Sequence, residues 1–334
     1  MDKVKIIRFN LLFTAALFIG CTRHQQDVFI AGWEAFGEMG RVAKLWKNGV
    51  AYELFDGKTH DAVALSVYVS NNDVYAVGYD IASFNEVVAK MWKNGVVQNL
   101  NITSNFSEAN SVYVSGNDVY VAGRDGNIAT VWRNGTPESL TDGTFSASAQ
   151  SVCVSDYDVY VAGREQNEQG KHVAKLWKNG TVQCLTDGIY NAKAYSVCVS
   201  DSDVYVAGYE ENEHGKTVAK LWINGTAQIL HTDGLNDAVA LSVHVAGNDV
   251  YVAGHKRNVA TVWKNGTAEG LVYGTVEAEA WSVYISGNDV YVAGCERKQN
   301  GIYVAKFWKN GKAKSLSNRE KDAKAFSVFV KPYY

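Results

Sequence analysis

Residues 111–135 read SVYVSGNDVYVAGRDGNIATVWRNG, and the fold class follows from this stretch. Short segments of alternating or continuous apolar residues are typical of β-strands. Three such segments occur in order: Ser111–Ser115, Asp118–Ala122 and Ile128–Trp132. Gly116-Asn117 separates the first two, and Asn134-Gly135 follows the third. Asn-Gly favours a type I′ hairpin because both central residues of that turn need a positive φ. The stretch therefore predicts consecutive short strands joined by tight turns.

The same pattern recurs along the whole chain. A Trp-x-Asn-Gly signature occurs seven times, at intervals of 40–46 residues: Trp46, Trp92, Trp132, Trp177, Trp222, Trp263 and Trp308. A second block, Ser-Val-x-Val/Ile-x-x-x-Asp-Val-Tyr, occurs six times in full, beginning at Ser66, Ser111, Ser151, Ser196, Ser242 and Ser282. A fourth strand follows each Asn-Gly and often ends in Asp-Gly. Each repeat thus contains four strands, here called A to D in chain order.

The seventh copy of the second block is split between the two ends of the chain. Asp27–Gly32 supplies its second half and Ser327–Val330 its first half. Four strands per 40–46 residues, repeated seven times, predict an all-β, seven-bladed β-propeller. We expect the C-terminal strand to pair with the N-terminal blade and close the ring, which removes exposed sheet edges. We also expect each strand-C Trp to pack between neighbouring blades.

The repeat resembles kelch-like propellers, because a strand of the type Asp-Val-Tyr-Val-Ala-Gly ends in Gly and an aromatic residue stands on the next strand. It departs from kelch because Tyr79, Arg124 and Tyr209 occupy the place of the second Gly of the kelch doublet. It is most similar to secreted bacterial seven-bladed propeller lipoproteins with repeated Trp-Lys-Asn-Gly blades. That resemblance covers nearly all of residues 27–330 and implies no activity.

The N-terminus has the pattern of a secretion signal. Three basic residues, Lys3, Lys5 and Arg8, precede an apolar stretch from Leu11 to Ile19 that is too short to span a bilayer. The stretch ends in Phe18-Ile19-Gly20-Cys21, which resembles the bacterial lipoprotein signal. The resemblance implies that Cys21 carries the lipid; the alternative is an ordinary signal peptide with an incidental Cys.

These patterns predict a domain organisation and an address. We expect a signal peptide over residues 1–20, a short anchor linker over 21–26 and one propeller over 27–334. The protein would cross the inner membrane and be lipid-anchored in the bacterial cell envelope, at the outer membrane. A net charge of -3 without a basic tract argues against nucleic-acid binding, and a monomer is expected.

Residues shared by all blades are interpreted as scaffold. An Asp precedes Val-Tyr or Val-Phe in every blade: Asp27, Asp73, Asp118, Asp158, Asp203, Asp249 and Asp289. We predict that these carboxylates stabilise turns by binding backbone amides, because no calcium-loop pattern accompanies them. No metal and no cofactor are predicted.

Function is expected where the blades differ. Three positions vary between blades. They are the residue after the strand-B Gly and the residues one and three before the strand-A Ser. We predict that these positions meet around the mouth of the axial channel. The candidate ligand-binding residues are Trp33, Tyr79, Arg124, Arg164, Tyr195, Tyr209, His255 and Trp281. The aromatic residues would stack on a sugar or peptide, and Arg124 and Arg164 would hold a carboxylate in a bidentate manner. The alternative is that several of these residues only pack the rim.

Catalysis is less well supported by the sequence. No nucleophile elbow, zinc-type His pair or phosphate loop is present. Glu108 and Glu279 are a carboxylate pair that could act as acid and base if the fold brings them together. Cys153 and Cys198 occupy equivalent strand-A positions, so the sequence is compatible with a disulfide between them and with two buried thiols. The sequence favours a module that binds a glycan, a peptide or an envelope protein. The alternatives are a polysaccharide lyase or hydrolase using the same face, and a structural protein.

Overall fold

A computed structural model describes residues 26–37, 40–54, 61–83, 86–231, 234–271, 277–318 and 320–331. These residues form seven four-stranded antiparallel sheets arranged as the blades of a propeller. The described part of the chain contains no helix long and apolar enough to cross a membrane. The expected signal peptide and the lipidation site Cys21 lie outside the described residues.

Each blade is listed here from its inner strand A to its outer strand D. Blade 1 has β28 (Ala323–Lys331), β1 (Asp27–Phe36), β2 (Gly40–Lys47) and β3 (Val50–Glu53), and blade 2 has β4 (Ala62–Ser70), β5 (Asp73–Ser83), β6 (Glu86–Lys93) and β7 (Val96–Gln98). Blade 3 has β8 (Ser107–Ser115), β9 (Asp118–Asp125), β10 (Ile128–Arg133) and β11 (Thr136–Ser139), and blade 4 has β12 (Ala147–Ser155), β13 (Asp158–Gln166), β14 (His172–Lys178) and β15 (Thr181–Cys184). Blade 5 has β16 (Ala192–Ser200), β17 (Asp203–Glu211), β18 (Thr217–Ile223) and β19 (Thr226–Ile229). Blade 6 has β20 (Ala238–Ala246), β21 (Asp249–Lys256), β22 (Val259–Lys264) and β23 (Thr267–Gly270), and blade 7 has β24 (Glu277–Ser286), β25 (Asp289–Arg297), β26 (Tyr303–Lys309) and β27 (Lys312–Ser315).

The ring closes in the predicted way. The C-terminal β28 pairs antiparallel with the N-terminal β1, from Asp27 opposite Lys331 to Glu34 opposite Ala323. Blade 1 therefore combines strands from the two ends of the chain, because its inner strand β28 is hydrogen-bonded to β1. This confirms the closure expected from the split repeat.

The strand-C tryptophans pack between blades, as predicted. Trp222 of blade 5 lies in one apolar cluster with Ala174 and Leu176 of blade 4, and it has no exposed surface. Trp177 of blade 4 packs in the same way against Val131 of blade 3 and is 1% exposed. All seven of these indole rings are at most 2% exposed, so each inter-blade contact is built around one of them.

A ring of hydrogen bonds joins the inner strands, and sequence reasoning did not anticipate it. In each blade the Val after the strand-A Ser donates its N–H to the Ser Oγ of the preceding blade, as Val243 does to Ser196 at 3.1 Å. The seven Ser–Val pairs, at 3.1–3.3 Å, form a closed circuit: Ser327–Val67, Ser66–Val112, Ser111–Val152, Ser151–Val197, Ser196–Val243, Ser242–Val283 and Ser282–Val328. One N–H of each inner strand thereby has an acceptor without a partner strand.

The repeated Asp residues bind different partners from those predicted. Asp158 accepts a hydrogen bond from Asn179 Nδ2 at 2.7 Å and pairs with Lys178 at 2.7 Å. Asn179, at φ 50°, begins the type I′ turn, and its Oδ1 accepts from the N–H of Val159. The carboxylate thus binds the Asn and Lys of the C–D turn and not a backbone amide. These bonds lower the pKa of Asp158. No cluster of three or more His, Cys, Asp or Glu suited to a metal occurs among the described residues.

An aromatic layer surrounds the axis. Five consecutive blades contribute rings whose neighbouring centroids lie 4.7–5.0 Å apart, in the order His244, Tyr284, Phe329, Tyr68 and Tyr113. The equivalent residues of the other two blades are Cys153 and Cys198, and both thiols are free. Burial raises the pKa of Cys153 to about 12 and lowers the pKa of His244 to about 4.

Candidate functional site

The variable positions meet at one end of the propeller because every inner strand carries a β-bulge there. The register between strands A and B shifts by one residue in each of the seven blades, for example between Ala194 and Ser196 in blade 5. The residue before the strand-A Ser, here Tyr195, is the extra residue of the bulge. Bulges of this kind re-aim side chains and are frequent beside functional sites.

The other two variable positions face each other across strands A and B. The seven cross-strand pairs are Lys324–Trp33, Val63–Tyr79, Glu108–Arg124, Ser148–Arg164, Lys193–Tyr209, Val239–His255 and Glu279–Cys295. Together with the bulge residues they form the surface that we call the mouth. All eight candidate residues named from the sequence lie in it, and each is half-buried.

The constant strand-B Gly makes the bulge possible. A Cβ on Gly208 would lie 2.1 Å from the carbonyl oxygen of Lys193 and 2.9 Å from Cζ3 of Trp222. The equivalent Gly in every blade would bring a Cβ within 1.9–2.2 Å of the same carbonyl oxygen. The backbone that presents Lys193 and the indole that joins the blades therefore leave room only for Gly.

Blade 3 places two opposite charges directly together. Arg124 donates from Nε and Nη2 to the two carboxylate oxygens of Glu108 at 3.0 and 3.1 Å. Its guanidinium also lies over the ring of Phe106, 4.3 Å from the centroid. Arg124 is already in a bidentate pair within the protein, so it is not available in this state to hold a ligand carboxylate as predicted.

Blades 1 and 2 hold an arginine between their aromatic residues. Arg41 pairs with Asp61 at 2.6 Å, and its guanidinium lies 5.8 Å from the Trp33 centroid and 5.9 Å from that of Tyr79. Burial raises the pKa of Tyr79. Sequence reasoning missed Arg41, because it stands near the start of strand C, outside the three variable sets.

Blade 7 contributes an acidic centre next to blade 1. Glu279 accepts a hydrogen bond from Trp281 Nε1 at 3.0 Å and lies 3.6 Å from Lys324 Nζ. The Trp281 ring meets Phe326 edge to face, with the centroids 5.1 Å apart. Glu108 and Glu279 thus belong to blades that are not neighbours, and each has a cationic partner. This arrangement does not resemble an acid–base pair.

Blades 4 and 5 carry the unpaired groups of the mouth. We call Arg164, His172, Lys193, Tyr195 and Tyr209 the cationic sector. Lys193 Nζ lies over the Tyr195 ring at 4.2 Å, and the Tyr195 and Tyr209 centroids are 6.1 Å apart. Within the described ranges, neither the Arg164 guanidinium nor the Lys193 ammonium has a hydrogen bond or a carboxylate partner. The same holds for both tyrosine hydroxyls.

Arg164 lies at the centre of this sector, because its charge acts on the pKa of each of the other members. Burial lowers the pKa of Lys193 to about 7, and Arg164 adds to the effect. Burial, Arg164 and Lys193 together lower the pKa of His172. Burial raises the pKa of Tyr195 and of Tyr209, and Arg164 opposes that increase. The side chains of Lys193, His172, Tyr195 and Tyr209, which are usually solvated, therefore share one enclosed place beside Arg164.

His255 of blade 6 completes the mouth. Burial lowers its pKa, while Glu279, Glu277 and Asp237 act in the opposite direction. No hydrogen bond involves the His255 imidazole in the part of the chain that the structure describes. His255 therefore borders the cationic sector on one side and the acidic centre of blade 7 on the other.

The loops around the cationic sector are held by the side-chain amides of two half-buried Asn residues. Asn167 Oδ1 accepts from the N–H groups of Gln169 and Lys171, and its Nδ2 donates to the carbonyl of Gly188 at 3.1 Å. Asn212 repeats this arrangement in blade 5, with Gly234 as the acceptor at 2.8 Å. Each Asn ties a B–C loop to the following D–A connection. The rim of blades 4 and 5 is therefore preorganised.

A second concave surface lies at the opposite end of the molecule. A groove of about 1090 Å³ runs between blades 3 and 4, lined by residues that include Tyr120, Arg133 and Tyr157. Arg133 is paired with Asp118. This groove contains none of the variable positions that form the mouth.

Comparisons with known proteins agree on the fold. No family model matches the chain, and no curated protein matches it. Among solved structures, the β-propeller domain of the Trilobed protease from Pyrococcus furiosus, described as having an open velcro topology, is 10% identical. It aligns over 89% of this chain and 99% of its own, with a TM-score of 0.55. A putative 6-phosphogluconolactonase from Bacteroides fragilis is 13% identical over 94% of this chain and 99% of its own, with a TM-score of 0.52.

A third structure, a puromycin-hydrolyzing peptidase of Mycobacterium tuberculosis, aligns over 87% of this chain and 53% of its own, at 10% identity and a TM-score of 0.56. At such low identity these likenesses concern the fold alone. The chain is thus similar to seven-bladed β-propellers in architecture.

Proposed function

We propose that the protein is a recognition module of the bacterial cell envelope, and that it binds a glycan, a peptide or a protein partner at the mouth of the propeller. The observation that carries this proposal is the variation among blades at the seven bulges and the pairs beside them, which meet in one surface. Constant residues build the ring, while the mouth differs from blade to blade. An asymmetric surface on a symmetric scaffold is what selective binding needs.

The lipid anchor belongs to the same proposal. Gln26 lies at the end of the propeller opposite the mouth, where its amide bonds to Ser286 Oγ and to the Tyr291 hydroxyl, both at 2.8 Å. A lipid on Cys21, five residues earlier, would tie that end to the membrane and turn the mouth away from it. Labelling with a radioactive fatty acid tests this, because Cys21→Ala should abolish incorporation and release the protein from membranes.

The binding proposal is tested with the purified full-length protein on a glycan array and in a pull-down of envelope proteins. The control is a Trp33→Ala/Trp281→Ala variant, provided that its melting temperature shows an intact fold. A partner that is retained by the wild type and lost by the variant supports the mouth as the binding face. Partners bound equally by both proteins would place recognition elsewhere, and no partner at all would favour a structural role.

A polysaccharide lyase is the second candidate, and one observation favours it. Lys193 has a pKa of about 7 and lies beside the unpaired Arg164, so a base and a carboxylate-binding cation stand together. In β-elimination, Lys193 Nζ would take the proton from the carbon that bears the carboxylate, a C=C bond would form as the glycosidic C–O bond breaks, and the departing oxygen would take up a proton from water. Incubation with a polyuronate, followed by the ultraviolet absorbance of the unsaturated product, tests this. Absorbance that persists in Lys193→Met would exclude Lys193 as the base.

A further inference from the structure

The cationic sector contains more unsatisfied donors than any other part of the mouth. The Arg164 guanidinium, the Lys193 ammonium and the hydroxyls of Tyr195 and Tyr209 are without hydrogen-bond partners across the described residues. His172 adds a buried Nδ1 that also has none. Buried polar atoms of native proteins are normally hydrogen-bonded, so the buried, unpartnered His172 Nδ1 beside this cluster of unpaired donors makes the cationic sector the candidate place for a ligand.

The neighbouring charges define the sign of that ligand. The one carboxylate whose charge favours protonated Lys193 is Glu108, and Arg124 already binds both oxygens of Glu108. Glu211, which acts on His172, accepts from Asn191 Nδ2 at 3.0 Å. The nearby carboxylates are thus committed to other partners. The cations Arg164 and Lys193 repel each other in an enclosed place, and an anion bound between them would offset the free-energy cost of that repulsion.

The remaining groups distinguish a sugar from a peptide. A peptide that binds by strand addition needs an open strand edge, and on each inner strand here a Ser Oγ already engages the N–H of one Val. The hydroxyls of Tyr195 and Tyr209 instead offer hydrogen-bonding groups on flat rings, whereas the amides of Asn110 and Gln150 at the bulges of blades 3 and 4 already donate to Ser148. The two tyrosine side chains suit the hydroxyls and the C–H face of a sugar ring.

Resting on the proposed recognition function, we propose that the cationic sector binds a sugar ring that carries an anionic substituent, a uronate carboxylate or a sulfate ester. Arg164 receives the anion through its planar fork, and Lys193 neutralises the second negative oxygen. Tyr195 and Tyr209 bind the adjacent hydroxyls. The fixed loops at Asn167 and Asn212 keep this arrangement in place before the ligand arrives, which lowers the entropic cost of binding.

Isothermal titration calorimetry at pH 6.5 and low salt tests this with the full-length protein. The probes are an oligogalacturonate, the same oligomer with its carboxyl groups reduced to alcohols, a sulfated uronate-free oligosaccharide and a polyglutamate peptide. We expect the oligogalacturonate or the sulfated oligomer to bind at least ten times more tightly than the reduced oligomer. The comparison of these two acidic probes decides which anion the sector prefers.

The variants locate the contact. Arg164→Gln and Lys193→Gln should each weaken binding of the acidic sugar about 10- to 100-fold, as expected for lost charge-assisted hydrogen bonds. Tyr195→Phe, which keeps the ring and removes the hydroxyl, should weaken it about 3- to 10-fold. Lys178→Gln is the matched control, because Lys178 is a lysine of blade 4 that pairs with Asp158 at the opposite end. Melting temperatures show whether each variant is folded.

Each contrary result is informative. Equal binding of the acidic and reduced oligomers, sensitive to Trp33→Ala/Trp281→Ala, would overturn this inference and leave the recognition function standing. Tighter binding of polyglutamate than of either acidic sugar would show that the ligand is a peptide. An acidic sugar that binds Arg164→Gln and Lys193→Gln as well as the wild type would place the anion outside this sector. Binding of no probe would also overturn the inference, while the glycan array and pull-down decide the recognition function separately.

Discussion

The affinity of the mouth for an anion should decrease as the pH rises through 7, because Lys193 loses its proton there. The pKa of Lys193 is about 7 in the free protein, so the ammonium is the main form at pH 6. At pH 9, which is two units above this pKa, only about 1% of the molecules carry a charge on Lys193. A lost charge-assisted hydrogen bond is worth about 1.5–3 kcal/mol, so the affinity for an acidic sugar should decrease about 10- to 100-fold between these values.

The other groups around Lys193 do not produce this change. Arg164 and Arg124 stay charged throughout the range, and Glu108 is held in its pair with Arg124. Burial lowers the pKa of His172, so His172 is mainly neutral from pH 7 upwards, and burial raises the pKa of Tyr195 and of Tyr209, so both titrate above the window. A sugar carboxylate is ionised at all of these pH values.

Calorimetry with oligogalacturonate at pH 6, 7, 8 and 9, in buffers of different ionisation enthalpy, measures both the affinity and the uptake of protons. Uptake of about half a proton or more is expected near pH 8, because binding favours the protonated lysine. Lys193→Arg is the matched variant, since an arginine keeps its charge, and its affinity should vary little with pH. A wild-type affinity independent of pH, or a Lys193→Arg variant with the same decrease, would refute the assignment of this titration to Lys193.

Further predictions concern the scaffold and the separation of scaffold from site. Trp177→Ala removes a 1%-exposed indole from between blades 3 and 4 and should cost about 3–5 kcal/mol, or about 5–8 °C in melting temperature; a change below 1 °C in a thermal melt would contradict the packing. Ser196→Ala leaves the Val243 N–H without its acceptor and should cost about 1–3 kcal/mol by chemical denaturation, whereas a neutral result would mean that the ring of Ser acceptors adds nothing. Maleimide should modify the exposed Cys184 well before the buried Cys153 and Cys295, as followed by mass spectrometry; equal rates would show that the blades open readily. Arg164→Tyr copies the residue of blades 2 and 5 at that position, so it should keep the melting temperature within about 2 °C and abolish binding of an acidic sugar, and a collapsed fold would show that Arg164 is structural.

Repetition explains why the fold could be predicted from the sequence. Each blade solves the same packing problem, so seven copies of Trp-x-Asn-Gly and Asp-Val-Tyr identify the residues that build it. The burial of Trp177 and the type I′ turn at Asn179 were predictable for this reason. The partners of Asp158 were not, because the pattern does not show that the C–D turn of a blade returns to the start of its own strand B.

The candidate site was predictable in position and only partly in chemistry. Arg124 and Arg164 occupy equivalent positions after the strand-B Gly, so the sequence predicts both as ligands for a carboxylate. They differ because Glu108 stands opposite Arg124 and Ser148 stands opposite Arg164. That difference could have been found from the cross-strand pairs alone. The contribution of Arg41 could not, because Arg41 stands on strand C outside the three variable sets, and its contacts with Asp61, Trp33 and Tyr79 follow no repeated pattern.

The bulge separates the requirements of folding from those of recognition. On one side of it, the Gly opposite Ala194 and the Oγ of Ser196 fix the backbone by contacts that any blade can make. On the other side, the bulge residue Tyr195 and the pair Lys193–Tyr209 lie together, with the Lys193 ammonium over the Tyr195 ring and the two tyrosine centroids 6.1 Å apart. These three positions differ from blade to blade, whereas the Gly and the Ser are constant. A half-buried lysine with a lowered pKa is tolerated at such a position because the surrounding blade is stabilised by Trp222 and the Ser–Val circuit.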